Sequence, residues 1–229
     1  SPSLENPENY IKIIDRSGFF EVTSFSDDDI NRNAMYKANA QRVKVSKKFE
    51  NYDDYLLSLE MTAEIEEFKS IDLQRITQLT NKSNQFNLTT KRYTQNEIEK
   101  ISSDGNYITL CGRLKDKFGD NGIVSVVIGR KENDALHIDL WLMSCRVLKR
   151  NMEYAMLDCL VSEAKLEGIR KIYGYYLKTK KNSMVKSLFS DFGFEKISED
   201  IEENTVWEMD IKNYIPKNKL ITVKQTQKV

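Results

Sequence analysis

Apolar residues along the chain fall into alternating helical and extended spacings, and from these the elements can be drawn. A short amphipathic helix is expected at Tyr10–Asp15, stopped by Gly18. Ser26-Asp27-Asp28-Asp29 opens a mostly polar helix running to about Phe49, because acidic residues suit a helix N-terminus. Asn51–Met61 supplies another, with Tyr55, Leu56 and Leu59 at helical spacing. From Ala63 the periods mix. Ala63–Phe68 alternates as a strand, Ile71–Leu79 is helical, and Thr94–Ile101 is a helix with Thr94 and Glu97 at capping-box spacing. Tyr107–Leu114, Ile123–Arg130 and Leu136–Ser144 then form an antiparallel meander, joined through Gly119–Gly122 and Lys131–Asp134.

In the third of these strands, strict alternation sends Leu136, Ile138, Leu140 and Leu142 into a core and His137, Asp139, Trp141 and Met143 to the other face. A helix over Asn151–Glu167 follows, with Gly168 as its stop. After it come a strand at Ile169–Leu177, a helix at Ser183–Phe189 ended by Gly193, and a strand at Val206–Ile211. Glu199–Glu203 reads as a hairpin loop, and Lys212–Lys228, with five lysines and no acid, as a tail that trails or docks on a neighbouring domain. The pattern is α/β of the α+β kind: a mixed, mostly antiparallel sheet flanked by helices, behind a helical connector.

Charge narrows the function. The 229 residues carry 35 Lys and Arg against 35 Asp and Glu, a balance that argues against a nucleic-acid-binding surface. No stretch approaches the ~18 apolar residues of a membrane span, and no signal peptide opens the chain. Cys111, Cys145 and Cys159 are odd in number and widely spaced, as expected of reduced thiols in a cytoplasmic protein. The single histidine, His137, excludes a metal site built on several histidines, and no metal is expected. A start at Ser-Pro-Ser-Leu suggests a piece of something longer.

Several stretches are more specific. Met35–Arg42, Thr80–Thr90 and Arg113–Gly122 resemble the FkbH-like proteins of polyketide pathways, as do Ser144-Cys145-Arg146-Val147 and Phe192-Gly193-Phe194. The match is to their C-terminal GNAT-like acyltransferase half, and it covers most of residues 5–210. Glu5–Val22 resembles the end of the HAD-type phosphatase-like domain that comes first in that family, and Asp27–Met61 the connector. The resemblance implies three parts: residues 1–61 as the end of a HAD-type domain plus connector, 62–211 as a GNAT-like domain, and 212–229 as a basic tail. It implies the loading of a three-carbon, glyceryl-type acyl unit, from a phosphoglycerate, onto an acyl carrier protein. The HAD chemistry itself needs an Asp-x-Asp-x-Thr nucleophile loop, absent from this chain.

The GNAT resemblance also implies a cofactor site. A pantetheine arm, from a carrier's phosphopantetheine or from a coenzyme A thioester, enters where the strand before the central helix splays from its successor. The helix N-terminus then receives the phosphate. Arg146, Val147, Lys149, Arg150 and Asn151 fall on that loop, with Lys149 and Asn151 where the motif carries small residues. Phe189 stands where many GNAT enzymes place a proton-donating tyrosine, which removes the usual acid. Cys145, at a strand end beside Arg146, is either an acyl acceptor or a buried small residue. His137 and Asp139 are either a proton-transfer pair or a partly exposed polar face. Asn84, Gln85 and Asn87, with Trp141, are candidate contacts for the acyl group, although turn capping explains the asparagines equally. Cys111 and Cys159 read as core. Three functions stand open: a carrier-linked acyltransferase, a non-catalytic carrier-docking or scaffold domain, and an acetyl-CoA-dependent N-acetyltransferase.

Overall fold

The computed structural model describes residues 32–224. The chain divides into two units, Ser1–Lys37 and Ala38–Val229, and the sheet and its covering helices belong to the second. The expected Tyr10–Asp15 helix, the HAD-like stretch and the Ser26 helix start lie outside the described residues.

Helix α1 (Arg32–Ser46) crosses the boundary, and α2 (Tyr52–Ser58) follows, its Asn51 side chain accepting from the Asp53 N–H. The order is then β1 (Thr62–Glu66), α3 (Leu73–Lys82), β2 (Phe86–Asn87), α4 (Gln95–Ser103), β3 (Tyr107–Asp116), β4 (Gly119–Glu132) and β5 (Ala135–Met143). It continues with α5 (Met152–Leu166), β6 (Lys171–Tyr176), α6 (Leu188–Asp191), β7 (Glu195–Glu199), β8 (Thr205–Asp210) and β9 (Thr222–Lys224). The capping box at α4 forms as its spacing implies: the Glu97 N–H donates to Thr94, and the Glu97 carboxylate accepts from the Thr94 N–H. Gly168, at φ 74°, ends α5 in the left-handed conformation that glycine adopts without strain.

One sheet holds the strands in the order β7-β8-β6-β5-β4-β3-β1-β9, with β2 added beside β5. The β5–β6 and β1–β9 pairs are parallel, the others antiparallel. Helix α5 packs on one face through Met152, Ala155, Met156 and Leu160. Helices α3 and α4 cover the other through Leu73, Ile76, Leu79 and Ile98.

The strict alternation expected of β5 does not hold. Ile128 pairs with Leu140 but Gly129 with Ile138, so Asp139 is an extra residue, a β-bulge. The bulge reverses the facing of everything after it. Leu136 and Ile138 share a core cluster with Trp141 and Met143, while Leu140 and Leu142 pack beneath α3 and α4. Strand β7 escaped the sequence pattern because all five of its residues are exposed, leaving no buried face to produce alternation. The supposed tail returns to its own domain. Asp158 on α5 accepts from the Tyr214 hydroxyl (2.6 Å) and the Lys217 and Asn218 N–H groups (2.9 Å each), and Thr222–Lys224 then pairs with β1.

Candidate functional site

The bulge and the parallel β5–β6 pair define the candidate site. These two strands pair only over Ala135–His137 and Lys171–Tyr173, then diverge towards their C-terminal ends. The expected splay is present, but it is filled. Phe86 and Asn87 pair with Met143 and Leu142, and the Leu88 N–H donates to the Trp141 carbonyl at 3.1 Å. On the other flank the Leu177 N–H donates to the Leu88 carbonyl at 2.8 Å. The Thr89 hydroxyl closes on the Asp139 carbonyl at 2.8 Å. Phe86–Thr89, which begins with β2, is therefore an extended segment set into the wedge, using the backbone groups of β5 that an inserted amide-bearing ligand would need.

Asn182 locks this segment from outside. Fully buried, it donates to the Asn87 and Leu177 carbonyls at 2.9 Å each and accepts from the Thr179 N–H at 2.8 Å. Nothing in the sequence marks it, since it stands in a polar, lysine-rich loop without periodicity.

The loop before α5 is also committed internally. Lys149 and Asn151 have φ of 64° and 61°, so the positions where the GNAT motif prefers small residues do take the left-handed backbone that glycine favours. The Tyr52 hydroxyl donates to the Lys149 carbonyl at 2.9 Å. Arg150, expected at a phosphate, instead turns inward. It donates to Asp116 at 3.0 Å and to the Arg146 carbonyl at 2.9 Å, and Arg42 holds the same carboxylate through two 2.8 Å bonds. Ser144 accepts from the Arg146 N–H, and Val147 is buried. In the first turn of α5 sits Glu153, whose carboxyl is raised by burial and whose Oε2 has no donor.

The candidate reacting groups do not converge. The His137 ring stacks on Tyr173 (centroids 4.9 Å apart, planes 10° apart), and its Nδ1 lies 2.7 Å from the Tyr175 hydroxyl. Burial, then the Arg130 charge, holds this imidazole below its ordinary pKa. Asp139 instead pairs with Lys91 at 3.1 Å and Arg130 at 3.4 Å. The two share a sheet face, each held by other partners. Cys145 is exposed, at the start of the single 3-10 turn Cys145–Val147, and so is not the buried small residue offered as its alternative. Burial pushes the Cys111 and Cys159 thiols up to about 12; Cys111 is buried in the core and Cys159 half-buried against it.

The amides proposed for an acyl group are spent on the loop itself. Asn84 accepts from Arg92, Asn87 accepts from the Thr90 N–H at 2.8 Å, and Gln85 is exposed. Trp141 is fully buried against Phe192, its Nε1 without a partner among the described residues. Phe189 is likewise buried, its ring lying against Gly174.

The sheet and its covering helices have many solved counterparts. The fold is that of the GNAT acetyltransferases. The GNAT domain of S. lividans PAT superposes with a TM-score of 0.51 at 13% identity, over 64% of this chain and 89% of that one. Spermidine/spermine N-acetyltransferase SpeG from Vibrio cholerae gives 0.51 at 13%, over 68% and 96%. The ribosomal-protein-S18-alanine N-acetyltransferase from Escherichia coli gives 0.50 at 11%, over 67% and 99%. No protein-family model matches the chain, and no curated protein is similar to it in sequence. Among the described residues no group of three or more His, Cys, Asp or Glu could hold a metal ion, and no helix is long and apolar enough to cross a membrane.

Tested against a pantetheine arm, this GNAT fold keeps the backbone geometry and fills the space. Phe86–Thr89 takes the wedge, and Glu153 and the inward-turned Arg150 stand at the helix start. In this arrangement the residues present do not fit the arm.

Proposed function

We propose that the chain is a GNAT-fold domain of the FkbH type, acting in the cytoplasm beside a HAD-type domain. In this reading it supports loading of a glyceryl-type three-carbon acyl unit onto an acyl carrier protein by holding the carrier, not by seating the thioester itself. The observation that carries this is the segment Phe86–Thr89, hydrogen-bonded to β5 on one side and to Leu177 on the other. Acyl transfer in a GNAT cleft depends on fixing the thioester against oriented backbone donors. Here those donors and acceptors are engaged by the protein's own chain. The engagement of His137 with Tyr175 and of Asp139 with Lys91, and the apolar Phe189, support the same reading. They weigh equally against transfer from acetyl-CoA to an amine.

A carrier-linked acyltransferase is the second reading, favoured by one observation: the Cys145 thiol is exposed at the strand end. Reconstituted loading separates the two. The chain, a HAD-type FkbH domain and a holo carrier are combined and the carrier followed by intact mass. Carrier holding expects slower loading when the chain is omitted, and normal loading with Cys145→Ala or His137→Ala. Loss of loading in Cys145→Ala would establish the transfer reading. Titration with acetyl-CoA in a calorimeter expects no heat, and micromolar binding would instead favour an N-acetyltransferase.

A further inference from the structure

From Gly168 to Ser190 the sequence holds six basic residues and no acid. Four are neutralised from elsewhere. Arg170 pairs with Asp134, Lys171 with Glu208 at 2.8 Å, and Lys178 and Lys186 share Glu203. Lys180 and Lys181 are exposed and have no acidic partner among the described residues. They stand on a loop of fixed shape, because buried Asn182 ties Leu177, Thr179 and Asn87 together and the Lys181 N–H donates to the Thr179 hydroxyl at 3.3 Å. Two apolar side chains flank them in the open, Leu177 at 39% and Met184 at 46% exposure.

The loop leaves the C-terminal end of β6. Strands β5 and β6 are parallel, so the turn after β5 leaves the same end of the sheet and brings Lys149, exposed and also without an acidic partner among the described residues. A rigid rim of uncompensated cations around exposed aliphatic side chains suits a partner that presents carboxylates beside apolar residues on a helix. A polyanion that binds through phosphates alone has no use for Leu177 and Met184.

We propose that this rim, Leu177–Met184, is the docking surface for the acidic helix of an acyl carrier protein. The proposal rests on the carrier-holding reading above and assigns it a place.

The test measures binding of a holo type II acyl carrier protein to the full chain by calorimetry, at low and at physiological salt, for wild type and for the double variant Lys180→Glu/Lys181→Glu. Expected are binding that weakens with salt and a loss of roughly tenfold or more in the variant, because like charges then face each other. Thermal melts should coincide, since neither lysine is buried or paired. A carrier with two acidic helix residues changed to lysine should regain affinity for the variant. Equal binding by wild type and variant would overturn the surface and leave the carrier reading standing. A wild-type chain that binds no carrier would overturn both. A wild-type chain that binds a DNA oligonucleotide as tightly as the carrier would mark the rim as a phosphate surface and overturn the proposal.

Discussion

Asp116→Asn tests the one charge on which the loop before α5 depends. The Asp116 side chain is wholly buried and accepts four hydrogen bonds: two from Arg42 at 2.8 Å, one from Arg150 at 3.0 Å and one from the Phe118 N–H at 2.9 Å. Two guanidinium groups, 5% and 8% exposed, share this single carboxylate. The isosteric amide keeps the shape and strands both cations. Removing one partner of a buried ion pair costs about 3–5 kcal/mol, and Asp116→Asn belongs at the upper end because two cations lose their counter-charge together. In urea, with a slope of about 2–3 kcal/mol per molar, the unfolding midpoint should fall by about 1.7–2.5 M. The arginines separate the contributions. Arg42 alone neutralises Asp116 through both its oxygens, so Arg150→Met, which removes the surplus cation, should cost clearly less than Arg42→Met. An Asp116→Asn midpoint within about 0.3 M of wild type, equivalent to less than about 1 kcal/mol, would show that water reaches the cluster and that burial is not what makes it costly.

Gly174→Ala should destabilise by about 1–3 kcal/mol, read from thermal melts, because the new methyl would stand 2.3 Å from the Phe189 ring in a packed core. Glu153 has its folded pKa raised by burial, so the native state holds a proton that the unfolded chain releases near 4.5, and stability falls as pH rises from there towards the folded value. Glu153→Gln should remove that decline, matching wild type in acid and exceeding it at neutral pH in paired urea titrations. Lys149→Gly should stabilise by about 1 kcal/mol, because a lysine at φ 64° carries left-handed strain that glycine lacks. Unchanged urea midpoints would place the strain elsewhere.

Elements whose buried residues recur at a regular period were legible without coordinates. The meander, α5 and the capping box at Thr94 follow from repeating patterns or from partners three residues apart. The misreadings arose where pairing is long-range. One additional residue at Asp139 exchanges the faces of Trp141 and Leu142, yet nothing in Leu136–Met143 itself announces a bulge; the cause is the register against β4. Arg150 read as a phosphate ligand because the GNAT resemblance puts it on the loop before the central helix, whereas its partner Asp116 ends β3, thirty-four residues earlier. The splay between β5 and β6 followed from the GNAT resemblance. That Phe86–Thr89 would occupy it did not, since a two-residue strand is too short to show a period.

That short strand has a mechanical consequence. Strands β6, β8 and β7 are joined to the rest of the sheet by three register pairs, by the Leu88 bridge and by the Asn182 bond to the Asn87 carbonyl. Beneath them Phe192 stacks on Trp141 of β5, so the short strand and the core together hold these strands to the sheet. A load on the loop that carries Lys180 and Lys181 therefore reaches β2 directly, through the Asn182 bond to the Asn87 carbonyl.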